Sequence, residues 1–195
     1  MREKIGIIGG SFDPPHLGHL ILAQDAQEAL GLDKVIFVPA AASPLKGHAP
    51  VATAPVRLAL AQAAFGGRAG WEVSDWELKQ GGTSYSLCTA EHLHGRFPDA
   101  ELFWVIGADQ LAQLNAWHRI GELARLVRFA VARRTGSALT RPAELSAAVD
   151  VQELPARCMD ISSTEVRTRL KKGLPVDLFL PEKVLQVIER GNLYR

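Results

Sequence analysis

The sequence predicts an α/β protein in which a doubly wound parallel sheet carries helices on both faces. Three observations lead there. Short runs rich in Ile, Val and Phe recur along the chain, and each is too short to be anything but a strand. They alternate with longer stretches of helical periodicity, the order expected of βαβ units. The runs are apolar on both faces, as strands between two helical layers must be.

Taken in order, Lys4–Ile8 is the first strand, and Gly9-Gly10 reads as a glycine turn after it. A helix follows over Leu17–Leu30, with Leu20, Ile21, Ala23 and Gln24 at helical spacing and Gly31 as its C-cap. Val35–Val38 is the second strand. The connection Pro39–Thr53, rich in Ala, Pro and Gly, is long enough to close over a ligand. Pro55–Phe65 is a helix with Pro in its first turn and Gly-Gly beyond its end. Then come a strand at Trp71–Ser74, a helix at Ser84–His94 and a strand at Leu102–Ile106. A helical stretch Gln110–Leu126, broken near Trp117, leads into the strand Val127–Ala132. Val149–Leu154 is one more short strand. Ser162–Lys171 and Pro181–Arg190 are closing helices separated by Gly173-Leu174-Pro175. With no internal repeat, the expected organisation is one domain over 1–195 whose helical C-terminal portion covers about 155–195.

A chain of 195 residues that is 47% hydrophobic can bury a sizeable core. Lys+Arg 22 against Asp+Glu 21 gives a formal charge of +1, which argues against nucleic acid as a partner. The two cysteines, Cys88 and Cys158, make neither a zinc knuckle nor a disulfide framework and read as reduced thiols. No apolar run approaches the ~20 residues that span a bilayer. The start Met1-Arg2-Glu3-Lys4 does not read as a signal peptide. The expectation is a soluble, cytoplasmic protein without a membrane partner; the sequence leaves a homo-oligomer open.

The most informative stretch is Ile5-Gly6-Ile7-Ile8-Gly9-Gly10-Ser11-Phe12-Asp13-Pro14-Pro15-His16-Leu17-Gly18-His19. A strand, glycines and a helix start with two histidines bring backbone N–H groups and imidazoles to one point. Unpaired amides and the helix dipole there favour an anion, phosphate above all. Gly6, Gly9 and Gly10 do not fit the G-x-G-x-x-G dinucleotide fingerprint. A zinc helix prefers histidines four apart with a carboxylate between, so the spacing of His16 and His19 speaks against a protein-held metal. Taken alone, the pair is equally readable as two satisfied structural histidines. Beside a phosphate site, donor imidazoles suit charge developing on a transferring phosphoryl group.

This stretch resembles the signature of the nucleotidylyltransferase superfamily, G-x-F-x-P followed by (H/T)-x-G-H. Within it the chain is most similar to the bacterial nicotinate-nucleotide adenylyltransferase family, through four further segments. Val38-Pro39-Ala40-Ala41-Ala42-Ser43-Pro44-Leu45-Lys46 resembles V-P-x-x-x-x-P-H-K and keeps Lys46, with Ser43 and Leu45 where the family often has Pro and His. Thr83-Ser84-Tyr85-Ser86-Leu87-Cys88-Thr89 resembles S-Y-T-x-x-T-L. Gly107-Ala108-Asp109-Gln110-Leu111 through Trp117 resembles G-A-D-x-L-x-x-L-x-x-W. Ile161-Ser162-Ser163-Thr164-Glu165-Val166-Arg167 resembles I-S-S-T-x-I-R.

The residues also have structural readings of their own. Ser84 or Ser86 would cap the helix that follows, Asp109 could be an N-cap, and Trp117 at helical spacing is a core candidate. Ser162 with Glu165 forms a capping box.

The resemblance implies a Rossmann-like fold and an enzyme of the pyridine-nucleotide route, moving AMP from ATP, with Mg²⁺ on its phosphates, to nicotinate mononucleotide. It implies His16 and His19 as the catalytic pair, and Gly9, Gly10, Ser11, Phe12, Lys46, Ser162, Ser163, Thr164 and Arg167 around the ATP phosphates. It implies Ser84, Tyr85, Ser86, Gly107, Asp109, Trp117 and Arg134 around the mononucleotide. Nicotinamide mononucleotide or phosphopantetheine is the alternative acceptor, and a nucleotide sensor without turnover is the alternative class.

Overall fold

The computed structural model describes residues 2–45, 48–133, 141–142, 149–157 and 159–195. Six parallel strands form one sheet: β1 Lys4–Gly10, β2 Lys34–Pro39, β3 Trp71–Val73, β4 Glu101–Gly107, β5 Arg128–Arg133 and β6 Val151–Pro155, in the order β3-β2-β1-β4-β5-β6. The order reverses between β1 and β4. In a sheet of this kind the crevice at the carboxyl ends of those two strands is where ligands bind. The helices are α1 Leu17–Leu30, α2 Ala54–Phe65, α3 Trp76–Gln80, α4 Ser86–Arg96, α5 Ala108–Leu111, α6 Ile120–Leu126, α7 Ser163–Lys171 and α8 Glu182–Arg190.

Alternation along the strands sorts the core into two halves. Val35 and Phe37 of β2, with Phe103 and Val105 of β4, face α1, α2, α7 and α8. Ile36 and Val38, with Leu102, Trp104 and Ile106, face α4, α5 and α6. The sheet is therefore covered on both sides, a Rossmann-like doubly wound α/β arrangement.

Several details differ from the sequence expectation. Gly9 and Gly10 are not a turn: they continue β1, paired with Val38 and Pro39 of β2. The reversal comes later, at Ser11–Pro15, where Phe12 takes a positive φ of 46° and the Asp13–Pro14 peptide is cis. On α1 the buried face is Leu20, Ala23, Ala26 and Leu30, whereas Gln24 lies exposed and bonds Glu28. Gly31 does close the helix, with a left-handed φ of 62°. The stretch Gln110–Leu126 is two helices joined by a 3-10 turn at Leu114–Ala116, and the short α3 had not been expected.

The C-terminal helices are tied to the sheet at two buried carboxylates. Asp25 of α1 accepts from the Arg157 backbone N–H at 2.6 Å and from its guanidinium. Asp13, 4% exposed, accepts from the Val51 and Ala52 N–H groups at 2.7 and 3.0 Å and from the Tyr194 hydroxyl at 2.8 Å. Burial, then this hydrogen bond, holds the Tyr194 phenol protonated far above its ordinary range. Among the described residues no helix is long and apolar enough to cross a membrane.

Asp13→Ala would leave two amides and a phenol without their acceptor. It is expected to lower unfolding free energy by about 3–5 kcal/mol, against about 1 kcal/mol for Tyr194→Phe. Urea titrations followed by circular dichroism measure both; an Asp13→Ala protein within about 1 kcal/mol of the parent would contradict this reading.

Candidate active site

The site is assembled at the β1/β4 crevice from segments that follow five strands, β1, β2, β3, β4 and β6. On one side lies the start of α1. His16 occupies the N-cap position, and its backbone N–H donates to His19 Nδ1 at 3.1 Å. That bond makes Nδ1 the acceptor of the neutral His19 ring and leaves Nε2 as its donor. The two imidazoles lie 3.8 Å apart between centroids. A side chain at position 18 would bring its Cβ within 3.0 Å of His16 Nδ1, so glycine there keeps the pair together. His16 is 8% exposed, and burial lowers its pKa from 6.5 to about 4. It is therefore a neutral ring at pH 7, and its Nδ1 is buried without a hydrogen-bond partner. Such an atom suits a ligand that completes it.

The start of α7 meets the same reversal. Arg167 donates to the Asp13 carbonyl at 2.7 Å and to Thr164 Oγ1 at 3.2 Å, and Ser163 Oγ donates to the Pro14 carbonyl at 2.8 Å. Ser162 caps α7 by accepting from the Glu165 N–H at 3.1 Å, as its motif predicts. Ser162 and Thr164 remain exposed. Phe12 is a different case: its ring is 1% exposed and packs edge-on to Phe65 and His19 at 5.1 and 5.2 Å. Its side chain belongs to the core, where it props the histidine, and cannot itself hold a phosphate.

On the other side a pocket brings together Gly9, Gly10 and Ser11 with Ser84, Tyr85, Ser86 and Trp117. Its wall also includes Ala40 and Ser43–Leu45 of the connection expected to close over a ligand, together with Glu77, Trp104, Gln110 and His118, which had not been read as site residues. Neither serine caps α4. Tyr85 holds the N-cap position without a side-chain cap, and Ser84 Oγ instead accepts the Ala41 N–H at 2.8 Å. The α4 start therefore has no side-chain cap, and Ser86 at its first position lines the pocket, a setting that favours an anion. Trp117 lies between the core and the pocket. It packs edge-on to Trp104 and Phe129, each at 6.1 Å, and lines the pocket, with its Nε1 buried and unpaired. The Tyr85 and His118 rings meet at a tilt of 33°, 4.3 Å between centroids, in the same lining. Position next to Trp117 was the one sequence signal for His118; Glu77, on the short α3, gave none.

Gly107 and Asp109 stand apart from this lining. Gly107, not Asp109, is the N-cap of α5, and Asp109 is exposed in its first turn. Lys46 and Arg134 lie outside the described residues, as does Cys158. Among the described residues no three His, Cys, Asp or Glu side chains converge as a metal site. The arrangement is two anion-favouring helix starts with a glycine-ended strand between them, suited to presenting two phosphorylated ligands to each other.

Residues 7–169 match the model of the cytidylyltransferase-like family. The chain is 45% identical to a probable nicotinate-nucleotide adenylyltransferase of Opitutus terrae, over 98% of each chain. It is 41% identical to one of Gemmatimonas aurantiaca, over 98% of this chain and 92% of that one. A nicotinic acid mononucleotide adenylyltransferase of Plasmodium falciparum, solved with NaAD, shares the fold with a TM-score of 0.76 at 16% identity, over 99% of this chain and 98% of that one. A putative nicotinate-nucleotide adenylyltransferase of Vibrio parahaemolyticus gives 0.69 at 22% identity, over 99% and 96%. The relatives match this chain from end to end and carry one activity in their names, and the chain belongs to the cytidylyltransferase-like family, among its nicotinate-nucleotide adenylyltransferases.

Proposed function

We propose that the protein transfers AMP from ATP to the phosphate of nicotinate mononucleotide, releasing pyrophosphate and forming nicotinate adenine dinucleotide. The observation that carries this is the shared edge of the two half-sites. Gly9-Gly10-Ser11 lines the pocket that also holds Ser84–Ser86, and the next residues run straight into the His16–His19 pair. Relatives of this length and identity, named for the same activity, support it.

In the reaction an oxygen of the mononucleotide phosphate forms a bond to the ATP α-phosphorus. The bond from that phosphorus to the β-bridging oxygen breaks, and its electron pair leaves with pyrophosphate. The protein forms no covalent bond, so its contribution is placement and charge stabilisation. His19 donates from Nε2 to a phosphate oxygen. His16, neutral by burial, contributes a hydrogen bond rather than a charge. Arg167, already oriented by the Asp13 carbonyl and Thr164, supplies the cation for the leaving phosphates, with Ser162–Thr164 beside it and Lys46 completing the set. Mg²⁺ enters with ATP as part of the substrate, its donors being the phosphate oxygens.

The acceptor's carboxylate is received by the amides and hydroxyl at the Ser86 helix start, and its pyridine ring by the Trp117 face. Tyr85 and His118 close the wall. Asp109, Gly107 and Arg134 are assigned to the mononucleotide's ribose and phosphate.

His19→Ala should remain folded yet lose about 10²-fold or more in kcat, read as pyrophosphate release from ATP and nicotinate mononucleotide. Unchanged turnover would remove His19 from the mechanism. The buried His16 makes a separate prediction. Its folded pKa of about 4 lies below the ordinary 6.5, so on acidification the unfolded chain takes up a proton first. Stability from this group is complete above about pH 6.5 and falls as the pH drops toward about 4. Between pH 7 and about 4.5 the parent should lose about 2–3 kcal/mol more than His16→Gln in urea unfolding. Equal losses would show that His16 is not buried as a neutral ring.

A further inference from the structure

Arg57 of α2 is 1% exposed, yet among the described residues no carboxylate meets it directly. Its guanidinium donates to two backbone carbonyls, Ser11 at 2.9 Å and Ala41 at 3.3 Å, and its Nε has no partner. Burial pulls its pKa down, while Asp13, Tyr194 and Glu77 oppose that at longer range. A charge held under these conditions is costly, and a well-packed apolar side chain often serves stability as well or better. What distinguishes Arg57 is therefore what it holds. Ser11 follows β1 at the edge shared by the two half-sites and lines the pocket, and Ala41 follows β2 directly after Ala40 of the pocket wall.

The connection continues from Ala41. Its N–H donates to Ser84 Oγ at 2.8 Å, and the Ser84 N–H donates back to the Ala42 carbonyl at 2.8 Å. Thr89 of α4 donates to the Glu77 carboxylate, whose pKa burial raises while Ser84 and Thr89 oppose that rise. A polar relay thus runs from Ser11 through Arg57, Ala41 and Ser84 to Glu77 and Thr89. It joins the strand end that faces ATP to the helix start that faces the acceptor.

We propose that Arg57 is a positioning residue that fixes the spacing of the two substrate half-sites by clamping the Ser11 and Ala41 carbonyls. The inference rests on the two-substrate reaction above and adds a residue that touches neither substrate. In-line transfer needs the attacking oxygen about 3–3.5 Å from phosphorus, and a misplacement of about 1 Å can cost about 10²-fold. Each half-site keeps its own donors without the clamp, so the loss should fall on turnover rather than on either affinity. A guanidinium can span both carbonyls at once; an ammonium is a single point and holds them less well.

The test compares the parent with Arg57→Met and Arg57→Lys. Calorimetry gives Kd for α,β-methylene ATP and for nicotinate mononucleotide separately, and pyrophosphate release gives kcat. For Arg57→Met each Kd should stay within about threefold while kcat falls about 30- to 100-fold. Arg57→Lys should show the same split with a loss of about tenfold, and it carries the test should Arg57→Met fail to fold. A folded variant with the parent's kcat, or one whose affinities fall as far as its kcat, would overturn the assignment. Parent turnover in the same assay reports on the reaction itself, so a failure of the functional reading is distinguishable from a failure of this one.

Discussion

Asp13 sits buried where the β1 reversal, the end of the long 39–53 connection and the last residues of the chain meet. Its carboxylate receives the Val51 and Ala52 amides and the Tyr194 hydroxyl, and its carbonyl receives Arg167. Burying a carboxylate is costly unless donors surround it, so the three segments can pack only in the arrangement that supplies those donors. Much of the site follows from that constraint. It fixes the loop that leads to α2, brings α7 against Asp13-Pro14, and leaves His16 and His19 at the mouth of the crevice. The arginine assigned to the leaving phosphates is thereby oriented before any ligand arrives.

The two half-sites solve the same electrostatic problem by different means. In the proposed reaction an anion at α1 would meet the His16–His19 pair beside a helix start, with Arg167 as the nearby cation. At α4 it would meet the start of a helix whose N-cap position has no side-chain cap. A phosphate that passes between such sites remains in contact with oriented donors throughout, which suits a reaction that spreads charge over phosphate oxygens. The neutral state of His16 fits this, since a fixed cation buried at the same point would carry the desolvation cost without a permanent partner.

The parts of the fold legible in the sequence are those set by local pattern. Strands buried on both faces read as short apolar runs, and Gly31 and Ser162 terminate or cap helices as their chemistry predicts. Gly9-Gly10 misled because glycines usually mark turns, whereas here the missing side chains matter within the strand. A Cβ at Gly10 would lie 3.2 Å from the Phe12 ring, which folds back over the strand end. The histidines, Arg167 and Ser84–Ser86 were visible as motifs. Arg57, Glu77 and His118 were not, because their importance comes from contacts across distant segments, such as Arg57 to Ser11 and Glu77 to Thr89. The capping role read for Ser84 does not hold: its hydroxyl serves the Ala41 amide instead of capping a helix.

In the proposed reaction a helix-start anion seat and an aromatic wall select an acidic pyridine mononucleotide as acceptor of AMP. The most direct measurement offers nicotinate and nicotinamide mononucleotides together at equal concentration with Mg·ATP and separates the dinucleotide products by chromatography. The deamido dinucleotide should predominate, with one pyrophosphate released per dinucleotide formed. A predominance of the amide product, or no dinucleotide at all from a folded protein, would contradict it.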